Sequence, residues 1–243
     1  MTIVVLGLLL FTAVFLPVWA VPSTAEANPG EERGVVSVYG EAALTAQPDT
    51  ALVTLAVETT HESAKIAAEE NARLTNAVLE ALTKSGLDKK QVKTSGYRLS
   101  SYTQQIDPQD KEKYVTKFRA YNELNINLHD LEHVGNVIDT AIKAGANKVL
   151  SILFELQNAE ALKLQALQNA TMQAKAKATA IARSAGTSVK GIKVIQEEMS
   201  GYFPYRAAVM EESAKTMALG APTPVLPGDV EVTARIRAEY YLN

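Results

Sequence analysis

Apolar and polar positions alternate strictly from residue 230 to residue 242. Val230, Val232, Ala234, Ile236, Ala238, Tyr240 and Leu242 fall on one side, and Glu231, Thr233, Arg235, Arg237, Glu239 and Tyr241 on the other. A period of two places successive side chains on opposite faces of a strand, so this segment predicts a strand with one buried and one wet face. The pattern also opens the folded part of the chain: Val36, Val38, Gly40, Ala42, Leu44 and Ala46 share a side, with Gly40 permitting close backbone approach. Gln47-Pro48-Asp49 predicts a turn, and Ala51, Val53, Leu55 and Val57 a second strand, which together predict an opening β-hairpin.

The period then lengthens. Ser63 is a helix-capping residue type, Ala67, Leu74, Val78, Ala81 and Leu82 recur at helical spacing, and Gly86 supplies a stop. Residues 92–102 and 114–128 read as a strand pair around a turn at 107–110, with Phe118, Ala120, Leu124, Ile126 and Leu128 on one face. Asp130 can cap a second helix whose buried stripe is Leu131, Val134, Ile138 and Ile142 and which ends at Gly145. A strand over 147–157 is centred on Leu150, Ile152 and Phe154. A long helix over 159–185 follows, lined by Leu167, Ala170, Ala174, Ala178, Ile181 and Ala185 and ending at Gly186. After a strand over 190–197, residues 200–229 hold Pro204, Pro222, Pro224 and Pro227, four of the nine prolines, and read as one long loop.

The order ββαββ followed by αβαββ predicts an α+β fold of largely antiparallel sheets with helices packed on one side. Residues 28–243 are expected to form a single module, in which any division into two lobes would fall near residue 129. Of the 243 residues, 47% are apolar and 21% charged, the balance of a chain that buries a core. The 24 basic and 27 acidic residues are spread without long runs, so no nucleic-acid partner is expected. The absence of cysteine excludes disulfides, thiol nucleophiles, lipidated cysteine and thiolate metal sites.

Residues 1–25 carry no charged side chain, and the apolar run from Ile3 onward reads as the core of a signal peptide. Ala25-Glu26-Ala27 is an A-x-A site, so residues 1–27 are expected to be removed; Val18-Trp19-Ala20 is an earlier alternative. The segment departs from the usual pattern in having no Lys or Arg before the apolar run. The competing reading is an uncleaved anchor, the one route by which this chain would contact a membrane. Either way the remainder faces outward, in the periplasm or secreted.

Chemistry is sparse. His129-Asp130-Leu131-Glu132-His133 fits the H-x-x-E-H pattern of a zinc protease, which needs both histidines on one helical face. Capping by Asp130 would leave His129 outside the helix, so neither a metal nor a catalytic site is expected there, and no cofactor is indicated. His61, with Glu58 and Glu62 nearby, reads as a surface residue, and no nucleophile elbow or phosphate-binding loop occurs. Met199, Met210 and Met217 sit in or beside the proline-rich segment; sacrificial oxidation is one reading and packing the plainer one. Tyr202, Phe203 and Tyr205 with Arg206 are residue types enriched at binding hot spots. With Met210, Met217 and Leu219 they form a candidate interface in a homo-oligomer, against the alternative that the segment covers a sheet edge of its own subunit.

The ordered set Gly40-Glu41, Pro48-Asp49-Thr50-Ala51, Asn71, Gly86, Thr94, Tyr121-Asn122, Asp130-Leu131, Gly145-Ala146-Asn147, Lys175-Ala176, Ala185-Gly186 and Pro224-Val225-Leu226-Pro227-Gly228 resembles the SIMPL-domain family. The likeness covers nearly all of residues 35–242. It implies a non-enzymatic exported envelope protein, linked in the family to oxidative-stress defence, with no catalytic or cofactor residues to carry over and with assembly into large rings in some members. The runner-up function is an unrecognised metal-dependent hydrolase. The protein partner is not indicated.

Overall fold

A computed structural model describes residues 34–106, 110, 113–208 and 223–243. The expected signal segment, residues 1–27, lies outside the described residues, as do Met210, Met217 and Leu219. The described chain forms one compact unit from Gly34 to Asn243.

The element order is β1 (Val35–Ala46), β2 (Thr50–His61), α1 (Ala64–Lys84), β3 (Val92–Gln105), β4 (Tyr114–Leu128), α2 (Val134–Ala144), β5 (Lys148–Glu155), α3 (Glu160–Ser184), β6 (Val189–Phe203), β7 (Tyr205–Ala207) and β8 (Val230–Leu242). The fold is α+β, built on two antiparallel sheets ordered β1-β8-β6 and β3-β4-β2-β5-β7. The predicted opening hairpin does not form. β1 pairs with β8 from Val35 opposite Tyr241 to Ala46 opposite Val230, while β2 lies between β4 and β5 in the other sheet. Alternation specifies which face of a strand is buried and is silent on its neighbour. Both sheets draw strands from either side of residue 129.

The five-stranded sheet packs Ala51, Val53, Leu55 and Val57 of β2 and Leu124, Ile126 and Leu128 of β4 against Val78 and Leu82 of α1 and Val134, Val137, Ile138 and Ala141 of α2. Within that core Asn71 is fully buried, and its Nδ2 donates to the Val57 carbonyl at 2.8 Å and the Ala120 carbonyl at 3.1 Å, tying β2 and β4 to the helix. Leu150, expected to face inward, is exposed. The β2–β5 register slips at Thr54/Leu55 so that Ser151 and then Val149 find partners, and Leu150 is the residue left over.

The three-stranded sheet is covered by α3 alone. Ala166, Ala170, Ala174, Ala178 and Ala182 are all fully buried; the middle three are those expected, while at the flanks Ala166 and Ala182 take the places expected of Leu167 and Ile181, and Ile181 is exposed. Side chains this short let the helix sit close to the sheet. A Cβ on Gly40 of β1 would stand 1.9 Å from the Ala170 carbonyl oxygen, so this position admits glycine alone. Gly86, Gly145 and Gly186 stop the three helices at positive φ, as their sequence placement predicts.

Candidate interaction surface

Residues 200–203, read from sequence as the start of a loop, instead complete β6, and after Pro204 the chain forms β7 against Ile152–Phe154 of β5. β7 thus covers the β5 edge of the five-stranded sheet within its own subunit. Tyr202 is half-buried on β6, and its hydroxyl accepts from the Leu156 backbone N–H at 2.7 Å. Burial raises its phenol pKa. Tyr205 packs its ring 6.1 Å from that of Phe154 and against Gly228. Phe203 between them is 54% exposed. Of the three described aromatics in the candidate interface, Tyr202 and Tyr205 therefore make contacts within the subunit, Tyr205 staying 38% exposed, and Phe203 is the most open to solvent.

Sequence reasoning singled out Met199 and missed the exposed apolar residues upstream of it on the same strand. Ile192 and Met199 are each 60% exposed, and Val194 and Ile195 are also open. The buried cluster under α3 is made by α3, β1 and β8, with only Val189 and Tyr202 joining from β6. The available signal was the loss of alternation in Ile192-Lys193-Val194-Ile195, where β8 alternates throughout. On the opposite face of this sheet Arg235 reaches Glu41 and Glu198 at 3.5 and 3.4 Å and lies 4.6 Å from the Tyr39 ring centre. Lys193 and Arg237 both contact Glu239, and the Lys193 hydrogen bond, first among their effects, holds that carboxyl below the usual range.

The histidine motif takes the arrangement its capping residue predicts. Asp130 accepts from the Glu132 N–H at 3.1 Å and bonds His133 Nδ1 at 2.8 Å, capping a 3-10 turn over Leu131–His133. Hydrogen bonding to His133 lowers the Asp130 pKa. α2 begins only at Val134, so His129 precedes the turn and shares no helical face with His133, although both line an open cavity of about 370 Å³ with Gln91 and Thr140. Among the described residues no group of three or more His, Asp or Glu side chains is placed to hold a metal ion. His61 Nδ1 accepts from the Ser63 N–H at 2.9 Å at the start of α1. A second cavity, about 380 Å³ and mainly apolar, lies between α2 and residues 223–227. There Thr223 donates through its N–H and hydroxyl to Asp139 at 3.1 and 2.6 Å, with its carbonyl pressed over Gly135.

A family model described as SIMPL, a protein of unknown function (DUF541), matches residues 36–240. This chain belongs to the SIMPL family. It is 26% identical to the 26 kDa periplasmic immunogenic protein of Brucella melitensis over 222 residues, covering 90% of this chain and 86% of that protein. It is 23% identical to the uncharacterized protein YggE of Edwardsiella ictaluri (79% of this chain, 80% of that one) and to YggE of Escherichia coli K12 (74% and 72%). The SIMPL match runs from the second residue of β1 into β8, spanning both sheets and the whole candidate surface.

Proposed function

We propose that this SIMPL protein works outside the cytoplasm as a non-enzymatic, homo-oligomeric binding or assembly module of the cell envelope. The carrying observation is the concentration of exposed apolar side chains on β6, from Ile192 to Met199 and at Phe203, on a strand of which only Val189 and Tyr202 join the cluster under α3. An isolated exposed leucine or valine is ordinary, whereas a contiguous uncovered set along one element marks a partner surface. The extracytoplasmic setting is supported by the uncharged N-terminal apolar run and by the periplasmic name of the Brucella relative. A part in oxidative-stress defence rests on the family resemblance alone. Of the aromatic and methionine cluster proposed from sequence, Phe203 carries the contact, and Tyr202 and Tyr205 position it from within.

Light scattering on the exported protein tests this reading: a concentration-stable multiple of the chain mass is expected, and a monomer at high concentration overturns it. Elemental analysis addresses the hydrolase alternative. Stoichiometric zinc that disappears in a His129→Ala/His133→Ala variant together with a hydrolytic activity would replace the module with an enzyme.

A further inference from the structure

We infer that the partner of β6 is β6 of a second copy, the two strands pairing antiparallel about a two-fold axis at Ile195 to make one continuous sheet ordered β1-β8-β6-β6-β8-β1. The inference rests on the assembly reading and names its surface. β6 is 15 residues long and, among the described residues, pairs only with β8 and ends its sheet, so no described strand takes the backbone donors and acceptors of its outer edge. The other edges differ. On β1, Gln173 accepts from the Glu41 N–H and Lys177 donates to the Tyr39 carbonyl, so α3 occupies that edge, and β7 is only three residues long.

Residues directly opposite in an antiparallel ladder share a face. Ile192 and Ile195 lie opposite Tyr240 and Ala238, on the α3 side, whereas Val194 and Met199 lie opposite Glu239 and Arg235, on the other side. Apolar side chains therefore flank the edge above and below. Register shifts against β8, a usual protection of edges, fall at 189/191, 192/194 and 197/199 and leave Val194 to Glu197 regular, with Ile195 inside that stretch.

Charge selects the partner and its direction. The first half of β6 carries Lys190 and Lys193 and the second half Glu197 and Glu198, so antiparallel self-pairing lays the basic half on the acidic half, and parallel pairing sets like on like. Lys193 and Glu198 also hold Glu239 and Arg235 within the subunit, and Glu197 accepts from Ser200, which leaves the polarity of the strand intact. The other long edge, β3, carries Lys93 and Arg98 without an acid, so its self-pairing would be repulsive.

The test exploits the absence of cysteine. In Ile195→Cys the new thiol faces its own copy across the axis, at the Cα separation of about 4.5–5.5 Å of antiparallel pairs, which a disulfide spans. Ile192→Cys and Ser200→Cys place their thiols six and ten positions out of register, about 20 and 33 Å apart. Mild oxidation of the exported variants is expected to crosslink most of the first into a dimer and little of the other two, with circular dichroism showing all three folded. Glu197→Lys is expected to weaken association at least tenfold. Equal crosslinking at all three positions, with wild-type protein still oligomeric, would refute the β6 pairing and leave assembly through another surface. A monomeric wild type would remove both readings.

Discussion

The two sheets solve the same problem with different side chains. α1 and α2 cover the five-stranded sheet with branched aliphatic residues and a buried amide, whereas the buried residues of α3 over the three-stranded sheet are all alanines, with Leu162 and Leu167 only partly buried beside them. Large side chains fill an interhelical and helix–sheet space by interdigitation and reach sideways over neighbouring strands. Alanine has no reach, so α3 must descend onto the sheet at Gly40 and still leaves the middle of β6, from Ile192 to Met199, uncovered. A tight, narrow helix contact and an uncovered edge strand are thus two results of one choice of residue.

The comparison breaks most severely at Gly40. Gly40→Ala drives a Cβ into the Ala170 carbonyl and is expected to cost about 3 kcal/mol, the upper end for overpacking, measured by urea unfolding. Gly191→Ala on β6, where an added Cβ meets nothing within 4 Å, should instead be neutral or stabilising by up to about 1 kcal/mol. In the other layer the sensitive group is polar. Asn71→Ala removes the donor to two carbonyls and is expected to cost about 2 kcal/mol in the same measurement.

One turn along α1, the Thr75 hydroxyl is buried and, among the described residues, has no hydrogen-bond partner. Thr75→Val should therefore raise stability by about 1 kcal/mol, and a loss there would show that the hydroxyl has a partner of its own. The smallest expected effect separates the charged face of the three-stranded sheet. Because Lys193 lowers the folded-state pKa of Glu239, the carboxylate contributes stability at pH values above its unfolded pKa and loses it as the pH falls through the lower folded value. Glu239→Gln should flatten the acid side of the melting-temperature profile below about pH 4 and leave it parallel to wild type above pH 6.

Much of the fold was legible where a local pattern decides it. The alternation in β1 and β8 predicts their buried faces residue by residue, and the three helix-ending glycines stand where the periodic runs stop. What stayed hidden depends on distant partners. Nothing in residues 35–61 distinguishes a hairpin from two strands in different sheets. An alanine-rich helix offers little contrast between faces, which is why Leu167 and Ile181 drew the expected stripe away from Ala166 and Ala182. Pro204 made the end of β6 read as loop, though it is only the break between β6 and β7. The aromatics were visible as residue types, but which strand edge a helix fails to cover is a property of the assembled layers.

The pairing of β1 with β8 has a kinetic consequence. A chain made from its N-terminus exposes the first strand of the three-stranded sheet long before the last one exists, and the ladder between them closes the longest loop in the fold. Loop closure must precede the contacts that reward it, so this sheet should assemble last and slowly, after the five-stranded sheet has formed from nearer neighbours. Until then β1 has no strand beside it, and the contacts of Gln173 and Lys177 on its edge serve as a provisional cover that α3 can supply before β8 arrives.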